Sequence, residues 1–168
     1  DTAVFAYEPG DSVAVSAPNP TTAVNELLAL NGWSPSADVR LDDTRTTLID
    51  ALSSHLELSL LSRPVLAAIA GQTDHGPLHD ALAGDGTALA AYMRDRQIAD
   101  VLLETGARLS PQAFVDLARP LARRAYSIAS SRAASPDELH LTVTLVTGTR
   151  DSRPRPSSAP GFLASRAV

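Results

Sequence analysis

The sequence predicts an α+β fold: an antiparallel sheet interrupted by a long helical block. Three observations carry that prediction. Short β-branched runs stand near the start, around a Pro9-Gly10-Asp11 turn signal. A strictly alternating segment, Leu139–Val146, stands near the end. Between them, apolar residues recur at helical spacing, punctuated by glycine and proline.

Residues 2–7 and 11–16 read as two strands, with Val4, Val13 and Val15 as β-branched members. Asn19 is the expected N-cap of a first helix, with Pro20 in its first position and Gly32 at its end. Thr47 and Asp50 have capping-box spacing, followed by Leu48, Leu52, His55 and Leu56 at helical intervals. Ser62 caps a helix through Ala70, which Gly71 stops. Leu78–Ala83, Thr87–Arg94 and Gln97–Glu104 form further short helices. Ser110-Pro111 opens one that runs through Ala118, and Pro120 closes it. Strands then return at Arg123–Ser130 and Leu139–Val146. Residues 148–160, rich in Ser, Pro and Arg, read as a loop, and Gly161–Arg166 as a helix start.

Composition narrows the functional classes. The chain has 168 residues and a formal net charge of -5, which argues against general nucleic-acid binding. Cysteine is absent, which excludes disulfides and thiolate metal sites and fits a reducing, cytoplasmic setting. All 14 basic residues are arginine, which excludes Schiff-base chemistry and a P-loop lysine. No apolar run is long enough to span a bilayer, so no membrane role is expected. His75 and His79 have the spacing of one helix face, but Gly76-Pro77 is expected to break a helix there, and no metal site is predicted. Asp42-Asp43 reads as solvated surface.

Arg124-Ala125-Tyr126-Ser127 sets a guanidinium, an aromatic ring and a hydroxyl on one strand. A planar cation suits phosphate and an aromatic ring suits stacking, so the pair fits a phosphorylated aromatic ligand.

Tyr7-Glu8-Pro9-Gly10-Asp11, Arg119-Pro120-Leu121, Arg124–Ser131, His140-Leu141-Thr142-Val143 and Gly161-Phe162-Leu163-Ala164 occur in this order around the helical block. In that order they resemble the FAD-binding region of the diflavin reductases, most closely the sulfite reductase flavoproteins. The resemblance implies a split β-barrel of ferredoxin-reductase type, incomplete here, from residues 1–17 and 120–168. Residues 18–119 would be an inserted all-helical connecting subdomain. It implies FAD as cofactor. FMN and NADPH would be bound by flanking domains outside this chain, and the first barrel strands would precede Asp1. It further implies a hemoprotein electron acceptor, the sulfite reductase beta subunit, and a chain unable alone to oxidise NADPH.

By resemblance, Arg124 pairs with the FAD pyrophosphate, Ala125 lies beside it, and Tyr126 packs on the flavin. Ser127 stands by the flavin N5 as the catalytic position. Thr142, Val143 and Thr144 contact FAD, and Ser59 approaches it from the insert. Two departures weaken expected binding. Gly148 stands where relatives stack an aromatic residue on adenine. Ser157-Ser158-Ala159-Pro160 replaces a glycine-rich phosphate segment, and Pro160 offers neither N–H nor hydroxyl.

Overall fold

The computed structural model describes residues 7–145, 148–150, 153–155 and 158–165. The chain divides into two compact units. One is Asn19–Leu121; the other combines Asp1–Pro18 with Ala122–Val168.

The continuous unit holds seven helices and one hairpin among the described residues. Helix α1, Thr21–Asn31, starts at Pro20 with no side-chain cap. The expected cap, Asn19, is instead buried, and its amide donates to the Leu52 and Leu56 carbonyls, each at 2.7 Å. Those carbonyls lie at and just past the end of the seven-residue helix α2, Leu48–Ser54, where helical partners run out. The Asn19 amide satisfies both. Gly32 ends α1 in the left-handed region at φ 68°, and the Trp33 N–H reaches the Leu28 carbonyl at 2.9 Å, a Schellman closure.

A hairpin that the sequence reading passed over follows: β1, Asp38–Leu41, pairs antiparallel with β2, Thr44–Thr47. Asp42-Asp43 is its turn, with Asp42 at φ 51°, a conformation Asp tolerates better than most residues. Val39 is buried, and Gln112 fastens the outer edge. Its side chain accepts from the Arg40 N–H at 2.8 Å and donates to the Arg40 carbonyl at 2.9 Å.

The remaining helices are α3, Arg63–Ala70; α4, Gly76–Ala83; α5, Gly86–Met93; α6, Ile98–Thr105; and α7, Pro111–Leu117. Ser62, Asp85 and Ser110 cap α3, α5 and α7 through their side chains, and Gln97 with Asp100 forms a capping box on α6. Gly76-Pro77 begins α4 instead of breaking it, because proline lacks only an N–H that the first turn does not use. His75 therefore precedes the helix, and His79 Nε2 lies 2.7 Å from the Thr73 carbonyl. One core unites these elements. Leu27, Leu48, Leu52, Leu66, Ile69 and Phe114 are wholly buried in it, with the Trp33 ring tilted against Phe114 at 5.4 Å between centroids.

In the discontinuous unit, β3, Ser12–Val15, pairs antiparallel with β4, Arg124–Ser127. A small hairpin, β5 (Gly148–Arg150) with β6 (Arg153–Arg155), occupies part of the stretch expected to be loop, and helix α8, Ser158–Ser165, begins three residues before the expected helix start at Gly161. The described strands form separate two-stranded ribbons and not a closed barrel. The expected strand Leu139–Val146 is reduced to one bridge, Leu141 with Ile128. Among the described residues, 142–145 have no ladder neighbour; Val146 and the expected strand residues 2–6 lie outside the description. The alternation survives in the side chains. Leu139, Leu141, Val143 and Leu145 line an open groove of about 370 Å³ with Pro160, Leu163 and Ala164 of α8.

Candidate functional site

The site grows from one turn. Pro9 and Gly10 are the central residues of a type II turn closed by the Asp11 N–H on the Glu8 carbonyl at 3.0 Å. Its third position needs positive φ, and Gly10 supplies 99°. The same glycine begins a bulge. Its N–H donates to the Ile128 carbonyl at 3.3 Å, while the Ile128 N–H donates to the Asp11 carbonyl at 2.7 Å. Two residues thus oppose one, a glycine-type bulge. The Tyr7–Asp11 motif therefore acts as the device that seats β3 on β4, with Ser12 opposite Ser127 and Val15 opposite Arg124.

Residues 138–141 meet the chain just past β4, at Ile128–Ser130. The Ala129 N–H donates to the His140 carbonyl at 2.9 Å, and Ile128 bridges Leu141. Ser130 is 5% exposed; its Oγ accepts from the His140 N–H at 3.0 Å and lies 2.8 Å from the Tyr7 hydroxyl. That hydroxyl also donates to the Glu138 carbonyl at 2.8 Å. Three separated motifs, around Tyr7, Arg124 and His140, are thereby drawn onto one strand.

Alternation sorts the candidate residues between two faces. Arg124 and Tyr126 share a side with Val13 and Val15; Ala125 and Ser127 share the other with Ser12 and Ala14. Arg124, Ala125 and Ser127 are exposed, and Tyr126 is half-buried. No hydrogen bond or ion pair engages the Arg124 guanidinium among the described residues. Thr142 and Thr144 are exposed, whereas Val143 faces the apolar groove.

The remaining candidates lie on other elements, with Pro160 lining the groove beside Val143. Ser59 belongs to the other unit, where its hydroxyl and N–H both donate to Glu57. Ser158, Ala159 and Pro160 form the opening turn of α8. Ser157 lies outside the described residues, and Gly148 opens β5. Sequence reading missed Tyr7 and Ser130 as a pair, although both stood inside quoted motifs. Nothing in either sequence segment announces a partner more than a hundred residues away. No grouping of three or more metal-binding side chains occurs among the described residues. None of their helices is long and apolar enough to cross a membrane.

Curated relatives align along this whole arrangement. A sulfite reductase [NADPH] flavoprotein alpha-component from Neisseria meningitidis serogroup C / serotype 2a is 38% identical over 160 residues, 95% of the chain. The chain is a homologue of the sulfite reductase flavoprotein alpha-components. Proteins of the same name from Yersinia enterocolitica and Zymomonas mobilis are 37% and 34% identical over the same 95% of the chain. The chain spans only 26% of the length of each of these three relatives. No protein-family model matches it. These relatives carry the name that the motifs led us to expect.

Proposed function

We propose that the chain is the FAD-holding part, with its connecting insert, of an NADPH-dependent diflavin reductase of sulfite reductase type. The observation that carries this reading is the convergence of the Tyr7 and His140 motifs on Ile128–Ser130, which continues β4, where an unengaged guanidinium and a half-buried tyrosine stand on one face. Those two side chains fit the cofactor. Arg124 can donate a two-pronged pair of bonds to a phosphate, and Tyr126 offers a flat apolar surface with a polar tip. Thr142 and Thr144 are exposed hydroxyls of the segment that follows the Ile128–Leu141 bridge. Ser127 fits less directly: on the opposite face from Tyr126, it reaches a ring stacked there only around the strand's edge. Pro160 lies within the opening turn of α8 and supplies no N–H to a phosphate.

In the intact protein, the flavin would supply the redox chemistry, linking hydride from NADPH to single-electron transfer through FMN to a hemoprotein partner. This chain's part would be to bind and orient. Its ribbons would be part of a larger split barrel, and a cytoplasmic, reducing setting suits its lack of cysteine.

Titration of the 168-residue chain with FAD tests the proposal. A resolved, shifted flavin band with quenched fluorescence is expected. A flavin spectrum unchanged at high FAD would reject it in favour of a second reading: a cofactor-free module that keeps the fold. The helical setting of Pro160 favours that alternative.

A further inference from the structure

We propose that Ser130 is a positioning residue: together with Tyr7 it forms a two-hydroxyl clasp that fixes residues 138–141 against Ile128–Ser130, the stretch that continues the flavin-assigned strand β4, and so sets which faces residues 142–144 present. The inference rests on the flavin reading above.

Proton inventory gives the clasp a direction. A phenol has one proton, and that of Tyr7 goes to the Glu138 carbonyl at 2.8 Å. At its 2.8 Å contact with Ser130 the phenol oxygen must therefore accept, and the serine hydroxyl donates. Ser130 Oγ in turn accepts from the His140 N–H at 3.0 Å. The chain runs from His140 N–H through Ser130 and Tyr7 to the Glu138 carbonyl. It starts and ends on one segment, two residues apart, and uses every hydroxyl proton. Bonds aligned head to tail in this way reinforce one another, and Ser130 is buried at 5% exposure.

Register is what such a clasp controls. Beyond it, the described contacts holding this segment to β4 are the Ala129–His140 bond and the Ile128–Leu141 bridge. A slip of one residue would turn every side chain to the other face. Thr142 and Thr144 would enter the groove now lined by Leu141 and Val143, and those apolar residues would replace the hydroxyls outside. Ser130 touches none of the residues assigned to the ligand; it acts through the segment it holds.

The test compares the native chain with Ser130→Ala, Ser130→Thr, Tyr7→Phe and the Ser130→Ala/Tyr7→Phe double variant. FAD affinity is read by flavin absorbance, and the cross-strand Ile128–Leu141 NOE by NMR, with far-UV circular dichroism confirming folding. Ser130→Ala and Tyr7→Phe should each weaken FAD about tenfold and lose the NOE, since each removes two bonds of one network. The double variant should lose less than the sum of the two single losses. Ser130→Thr, which keeps the hydroxyl, should restore affinity to within about twofold of native. Native FAD affinity in a folded Ser130→Ala or Tyr7→Phe chain, or additive losses with the NOE intact, would overturn the inference while leaving the flavin reading standing. Failure of the native chain to shift the flavin spectrum would overturn both, and the native titration alone reveals that outcome.

Discussion

Gly10 and Ile128 lock together across 118 positions of sequence: the Gly10 N–H meets the Ile128 carbonyl at 3.3 Å from a backbone held at φ 99°. A Cβ at Gly10 would meet nothing within 4 Å, so the demand for glycine is conformational and not steric. Gly10→Ala should therefore destabilise the β3–β4 ribbon by about 1–2 kcal/mol, and Gly10→Asn by less. Urea denaturation followed by circular dichroism measures this, and equal stability of the Ala and Gly chains would contradict the turn-and-bulge account.

Asn19 poses a different question, because its amide serves two carbonyls at the end of α2. Asn19→Ala should cost about 1–3 kcal/mol by leaving buried acceptors unmet. Asn19→Asp should cost more, since it turns an acceptor toward acceptors. The same denaturation series decides it; an Asp variant as stable as native would show that these bonds carry little.

Phe114 is completely buried and packs tilted against Trp33, the chain's single tryptophan. Phe114→Ala should destabilise the core by about 3–5 kcal/mol. Trp33 gives the experiment its own reporter: its emission should shift to the red as the pocket opens. Unchanged emission together with unchanged stability would place Phe114 outside the core.

Arg124 has no protein partner among the described residues, so its removal should leave stability near native. If it holds a phosphate, Arg124→Ala should weaken FAD roughly tenfold to a hundredfold, with the loss shrinking at high salt. Equal FAD affinity in both chains, measured by fluorescence quenching, would remove Arg124 from the site.

Local signals carried much of this fold into the sequence. Ser62, Ser110 and Gly32 mark helix ends because capping is settled within a few residues, and each does what its position suggests. Asn19 misleads because its local role as a cap lost to a distant need, the unpaired carbonyls of α2. The 38–47 hairpin was legible in hindsight: Val39 and Leu41 alternate, an Asp pair follows, and four residues with three threonines come next. Leu139–Val146 shows the opposite failure. Its alternation correctly reported one apolar face, but a ladder also needs a neighbouring strand, which a strand's own sequence does not encode. The site residues were recognisable as types. Their division between two faces of β4 required the register.

The two ends of the inserted unit are tied to one place. The Asn19 N–H donates to the Ser53 carbonyl at 2.8 Å, and the Leu121 N–H to the His55 carbonyl at 2.7 Å. Entry and exit thus stand side by side at the foot of α2, so Asn19–Leu121 behaves as a cassette. Its termini could be joined by a short linker, the chain reopened in a surface turn such as Asp42-Asp43, and the circularly permuted protein should keep its hydrophobic core.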